Sequence, residues 1–173
     1  MKTLLFIIMT LLHTPVLANS ISYSTDYIRG EGDVEGIKLA VQYHSDALSS
    51  YSEQLGLYVE TGINLWEYGE PERRDTTFVL SFSPVIQYPV ATLTYATLYV
   101  EAGIGVSLLD DTQFAGKDVS THFQFEDRLG LVARFGQHEQ HQLALRYFHY
   151  SNAGIKKPNP GLDFIALSYM HYF

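Results

Sequence analysis

From residue 20 onward, apolar and polar residues alternate with a period of two. Leu55, Leu57, Val59, Ile63 and Leu65 fall on one parity, and Tyr58, Glu60, Asn64 and Trp66 on the other. Further along, Leu98, Val100, Ala102, Ile104, Val106 and Leu108 oppose Tyr99, Glu101, Gly103, Gly105 and Ser107. Successive side chains leave a strand on opposite sides, so this period marks strands with two unlike faces. Helical spacing is hard to find. With turn-forming residues as punctuation, the alternation predicts eight strands near 20–29, 35–45, 53–66, 74–88, 92–108, 119–136, 140–152 and 161–173.

Which face is the core decides the fold class. In a soluble sandwich the apolar faces would pack together and the polar faces would meet water. Here no helix is available to cover a sheet, and the polar faces carry Gly, Tyr, Ser and single acids with few Lys or Arg. The inverse arrangement fits better: an all-β, eight-stranded antiparallel transmembrane barrel, apolar outside and polar inside. It must be closed, because lipid cannot satisfy an open sheet edge. Glu60, Glu101, Glu126, Arg128, Arg134 and Arg146 are then expected inside, where they can pair. Two residues fit this register poorly. Asp127 falls among the outward Phe123, Phe125, Leu129 and Leu131, and Pro84 lies within a strand, where it cannot donate to the ladder. Local bulges are the expected explanation for both.

Composition sharpens the same picture. The 173 residues include 13 Tyr and 10 Phe, the material of the aromatic girdles at the two membrane interfaces. A formal net charge of −8 argues against a nucleic-acid partner, because phosphate contacts need Lys and Arg. There is no cysteine, so stability has to come from elsewhere, such as closure of the barrel. Residues 1–18 combine Lys2, the apolar run Leu4 to Leu12 and the small-residue site Val16-Leu17-Ala18. This predicts a signal peptide, with residues 19–173 as a single barrel domain in the bacterial outer membrane. An even strand count puts both termini on the periplasmic side. Connections 30–34, 66–74, 109–118 and 152–161 are then extracellular, and 46–52, 88–91 and 136–139 periplasmic.

The candidate chemistry sits near the C-terminus. Leu143, Leu145, Tyr147, His149 and Ser151 share one parity, so His149 and Ser151 are expected to face outward at the extracellular end. Across the loop 152–161, Asp163 shares parity with the outward Ile165, Leu167 and Tyr169. Acyl hydrolysis needs these residue types. A serine hydroxyl becomes nucleophilic when an imidazole accepts its proton, and a carboxylate fixes the tautomer and offsets the charge the ring gains. The i, i+2 spacing leaves His149 and Ser151 about 7 Å apart along the strand, so they meet only by leaning together. Asn152 follows the serine and can donate to an oxyanion from its amide. From spacing alone the H-x-S pair is commonplace, and wet interfacial residues are its commoner meaning.

A longer motif weighs against that plainer meaning. His149-Tyr150-Ser151-Asn152-Ala153-Gly154-Ile155-Lys156, followed by Pro158-Asn159 and Gly161, resembles the active-site segment of the lipid A 3-O-deacylase (PagL) family. The specific match covers roughly residues 143–173, and the remainder agrees in architecture. The resemblance implies an esterase acting on the ester-linked acyl chain at position 3 of lipid A. His149 would be general base, Ser151 nucleophile, Asn152 an oxyanion donor and Asp163 the orienting acid. The best-known pattern of the family has glutamate at this last position, so Asp163 is a departure with a shorter reach. No metal or other cofactor is implied. The partner would be lipid A, or lipopolysaccharide, in the outer leaflet, and a homodimer is left open. Lys156 and Lys157, in the loop above the site, are expected to hold the phosphates of lipid A, and the acyl chain to lie along Leu145, Tyr147 and Leu167. Two rivals are a non-catalytic structural or adhesive barrel and an outer-membrane acyl hydrolase of glycerophospholipids. His138-Glu139-Gln140-His141 lacks the spacing of a metalloprotease motif, and Asp110-Asp111 is most simply a charge pair in an outer loop.

Overall fold

The two-residue period becomes a closed antiparallel barrel. The computed structural model describes residues 21–69 and 74–172. Its strands are Ile21–Gly30 (β1), Glu35–Ser45 (β2), Gly56–Tyr68 (β3), Asp75–Thr92 (β4), Ala96–Leu109 (β5), Gln113–Phe114 (β6), Lys117–Asp118 (β7), Phe123–Phe135 (β8), His141–Ser151 (β9) and Leu162–Tyr172 (β10). The barrel runs β1-β10-β9-β8-β5-β4-β3-β2, and β1 closes it by pairing with β10 from Ser22↔Tyr172 to Gly30↔Phe164. The short β6 and β7 form a separate hairpin in the connection after β5. That hairpin carries no alternation of its own, and the sequence did not predict it. The expected signal peptide lies outside the described residues.

The wall is apolar where it meets its surroundings. Leu39, Ile63, Leu80, Leu131, Leu145 and Leu167 are all exposed, while the residues between them turn into the lumen. Each barrel strand is paired on both sides, the condition a lipid solvent imposes.

Charged groups fill one part of the lumen. Lys38 Nζ lies 2.9 Å from Glu60 and 3.1 Å from Glu126, and Arg128 pairs with both acids. Arg146 lies 2.6 Å from Glu101 and 3.1 Å from Asp26. Tyr58 and Gln87 donate to Glu101, and Ser83 and Tyr150 to Glu126. A charge buried this way is costly unless every lone pair and proton is met, and here each acid has several donors. The expected inward placement of Glu60, Glu101, Glu126, Arg128 and Arg146 is what the structure has. Lys38 and Asp26 join them. Arg134 is only half-buried, bonds to Gln87 and Gln142, and stacks 4.4 Å from the Tyr99 ring.

Towards the long-loop end the filling turns aromatic. Trp66 packs 4.4 Å from Phe164 and 4.9 Å from Tyr150, ring to ring. Phe114 of β6 and Val119 cap the cluster from above. Side chains therefore occupy the lumen at both levels.

Neither expected bulge occurs where the sequence placed it. β8 runs in unbroken register through Ile104↔Asp127 and Asp127↔His149. Pro84 keeps its register with Val59, while pairing to β5 skips Ser83 and Pro84 and resumes without a shift. The missing proline N–H costs ladder bonds but inserts no residue. The register shift lies between Pro89 and Ala91 instead. Asp127 therefore stands on the outer wall.

Candidate active site

β9 and β10 are pinned from within. On β9, Arg146, Phe148 and Tyr150 are buried, and on β10 Phe164 is buried against Trp66. Their anchoring fixes what the alternate positions present. His149, Ser151 and Asp163 are all half-buried and share parity with the exposed Tyr147, Leu145, Ile165 and Leu167.

Register pairs Asp163 directly with His149 and Ile165 with Tyr147. Directly opposed residues hold their Cβ atoms about 4.5–5.5 Å apart, close enough for short polar side chains to meet. His149 Nδ1 lies 2.7 Å from Asp163 Oδ1, and the Tyr147 hydroxyl donates to the same oxygen. An ionised carboxylate only accepts, so the proton of this hydrogen bond belongs to Nδ1. That assigns the tautomer and leaves Nε2 with a free lone pair.

Ser151 is two residues further along β9 on the same face, opposite Phe125 of β8. Its hydroxyl makes no hydrogen bond to a described residue. The imidazole–carboxylate contact is made and the hydroxyl–imidazole contact is not, as is common in a site without substrate.

Asn152 is fully buried and holds the loop that follows. Its Nδ2 lies 3.1 Å from Val119 O, 3.2 Å from Ser120 Oγ and 3.0 Å from Lys156 O. Its Oδ1 accepts from Gly154 N at 2.9 Å, and its own backbone N–H donates to Asn159 Oδ1 at 3.1 Å. Its donors, from which the sequence reading expected an oxyanion bond, are engaged by the protein itself. Lys156 and Lys157 are exposed on the same loop and form no ion pair with described residues.

Gly161, named in the motif without a role, and Lys117, missed from the sequence, complete the surroundings. Gly161 is buried with φ +71°, and a Cβ there would come within 2.6 Å of His149 Cε1. Only glycine combines that backbone with that closeness. Lys117 Nζ donates to Gly161 O at 3.0 Å and pairs with Glu31. Glycine before a strand is a weak signal, and Lys117 has none in its local sequence.

A groove of 740 Å³ opens beside Tyr147, lined also by Leu57, Ile86, Ile104, Asp127 and Leu129. The expected acyl path used Leu145, Tyr147 and Leu167; Tyr147 lines this groove, while Leu145 and Leu167 do not, and the groove runs to the β8 side of His149. A larger apolar depression of 980 Å³ crosses β1 to β5 around Leu39, Ile63 and Leu80, away from His149. At the opposite end, Glu139 accepts from Thr97 and Tyr99, and His141 bonds to Tyr169. No group of three or more His, Cys, Asp or Glu among the described residues is arranged to hold a metal ion.

Residues 35–172 match the family described as lipid A 3-O-deacylase (PagL). The chain is 37% identical over 120 residues to the lipid A deacylase PagL of Bordetella bronchiseptica, covering 69% of this chain and 64% of that one. It is 34% identical over 112 residues to the lipid A deacylase PagL of Pseudomonas aeruginosa, covering 65% and 62%. The chain thus spans a little under two thirds of the length of these relatives. Among solved structures, the outer membrane enzyme PagL superposes with a TM-score of 0.76 at 27% identity, covering 88% of this chain and 99% of that one. Barrel, location in the outer membrane and the C-terminal motif agree with one another, and the match extends far beyond the motif. The chain belongs to the lipid A 3-O-deacylase (PagL) family.

Proposed function

We propose that the protein is an esterase that removes the ester-linked acyl chain from position 3 of lipid A. Its outward-facing triad is Ser151, His149 and Asp163. The observation that carries this reading is the 2.7 Å bond between His149 Nδ1 and Asp163 Oδ1 on the lipid-side face of two adjacent strands. That bond leaves Nε2 free to accept the Ser151 proton once the two side chains lean together. Ser151 Oγ then attacks the ester carbonyl, and the imidazolium returns its proton to the departing sugar oxygen. Water, deprotonated by His149, releases the acyl chain from Ser151 and restores the hydroxyl. Asp163 offsets the charge the ring carries in both steps.

The position suits the substrate. Lipid A lies in the outer leaflet, and a site on the wall at the long-loop end meets its ester bonds without extracting it. Polar groups near an interface cost little compared with the midplane. Lys156 and Lys157 would hold phosphates from the loop above. An oxyanion role for Asn152 requires it to exchange a present bond, such as that to Asn159, for one to the substrate. Ser151, His149 and Asp163 stand on one chain, so the chemistry needs no second copy.

Mass spectrometry of lipid A and phospholipids from cells with and without the protein tests the reading. Loss of one 3-linked chain from lipid A is expected, and it should vanish with Ser151→Ala while the folded barrel remains. A Ser151→Ala barrel that deacylates at the parental rate overturns the triad. Shortened phospholipids with intact lipid A overturn the substrate.

A further inference from the structure

Tyr147 is an exposed aromatic of the outer wall, and the plain meaning of such a residue is a place in the interfacial girdle. Its hydroxyl is used otherwise. It donates to Asp163 Oδ1, the same oxygen that takes the proton of His149 Nδ1. Asp163 Oδ2 has no hydrogen-bond partner among the described residues.

Register explains how the two groups meet. Tyr147 stands two residues before His149 on the same face of β9, opposite Ile165, and Asp163 stands opposite His149. Tyr147 and Asp163 are therefore diagonal neighbours, about 7–8 Å apart, a span that an aromatic side chain covers and a short one does not. The ring has only two rotatable bonds and is flanked by Leu129 on β8 and Ile165 on β10, so it offers a stiff donor.

The imidazole depends on that donor at one remove. Asp163 is the sole hydrogen-bond partner of the His149 ring among the described residues, so the carboxylate sets where Nε2 points. The carboxylate itself is half-exposed, and the torsion that turns its two oxygens has broad, two-fold preferences. One bond to His149 leaves that torsion loose. A second donor fixed on the same oxygen removes the freedom.

Building on the triad reading, we propose that Tyr147 is a positioning residue for the deacylation. Its hydroxyl holds the Asp163 carboxylate in line with His149 Nδ1, and through that bond keeps Nε2 aimed towards Ser151. Tyr147 itself touches no reacting atom.

Removing the hydroxyl alone tests this. Tyr147→Phe keeps the ring and the groove lining, so the folded fraction and KM for lipid A should be unchanged. Per folded molecule, kcat should fall at least about ten-fold, towards the 10²-fold that a misplacement of about 1 Å costs. The loss should also depend on Asp163. In an Asp163→Ala background, followed with enzyme in excess over lipid A so that slow reaction is read, Tyr147→Phe should cost nothing further. Residues in contact couple in this way, whereas independent ones add. A residue that only shapes the wall would cost the same in both backgrounds. Parental kcat in Tyr147→Phe, a loss carried by KM alone, or equal losses in the two backgrounds each overturn the proposal. Should Asp163→Ala fall below detection, kcat and KM of Tyr147→Phe decide alone. Failure of the triad reads differently, as parental turnover by Ser151→Ala or Asp163→Ala.

Discussion

Glu60 in the lumen and Asp163 on the outer wall are both carboxylates of barrel strands, yet they are treated in opposite ways. Glu60 is tied to Lys38, Arg128 and Gln42 and is buried in the lumen. Asp163 is half-exposed and bonds to one imidazole and one phenol. Ser151 beside it keeps its hydroxyl free of described partners. Inside, the acids and bases are paired with one another and hold distant strands together: Arg146 and Asp26 are 120 residues apart. Outside, polar groups are few, local and incompletely used. The difference separates polarity that maintains the barrel from polarity kept available for a ligand.

Substitutions on the two sides should therefore fail differently. Asp163→Asn keeps the shape but removes the charge and favours the wrong tautomer, so deacylation should fall by about 10⁴-fold with folding unchanged. Asp163→Glu should retain substantial activity. Rates of the two purified variants check this, and an Asn variant as active as the parent would place Asp163 outside the site.

Glu60→Met should do the reverse. Removing one partner of a buried ion pair costs about 3–5 kcal/mol, because Lys38 and Arg128 are left uncompensated. The urea midpoint should drop, while turnover per folded molecule stays near the parental value. Loss of turnover without loss of stability would break the division drawn here.

Gly161→Ala lies between the two classes. The added Cβ would press on His149 Cε1, and a displacement approaching 1 Å costs about 10²-fold in rate. Stability should change far less. The smallest effect is expected from Lys156→Gln with Lys157→Gln. Exposed charges contribute about 0–1 kcal/mol, so binding of bis-phosphorylated lipid A should weaken only a few-fold, and dephosphorylated lipid A not at all. Equal weakening for both lipids would remove the phosphate assignment.

How much of this was legible in the sequence depended on distance along the chain. The strands were legible because period two is a local property, and the parity of Glu60, Glu126 and Arg146 followed from it. Lys38 and Asp26 obey the same rule, but one charge in a short strand does not announce its partner. The β6–β7 hairpin has too few residues to show a period. Asp127 was placed correctly by parity, and the bulge expected there rested on membrane cost alone. Lys117 reaches the site only because Glu31, 86 residues away in sequence, and the carbonyl of Gly161 converge on it.

The hairpin formed by β9 and β10 has an inheritance of its own. His149 and Asp163 are separated by 14 positions, and Ser151 falls between them. A single contiguous segment thus carries the proposed base, nucleophile and acid on one face, and could pass to another eight-stranded wall as one piece. Its inner face could not. Arg146, Phe148 and Tyr150 meet residues of β1, β2, β3, β5 and β8 in the lumen. Transplanted alone, the hairpin would bring its chemistry and leave its anchorage behind, so lineages of such barrels should exchange outward residues more freely than inward ones.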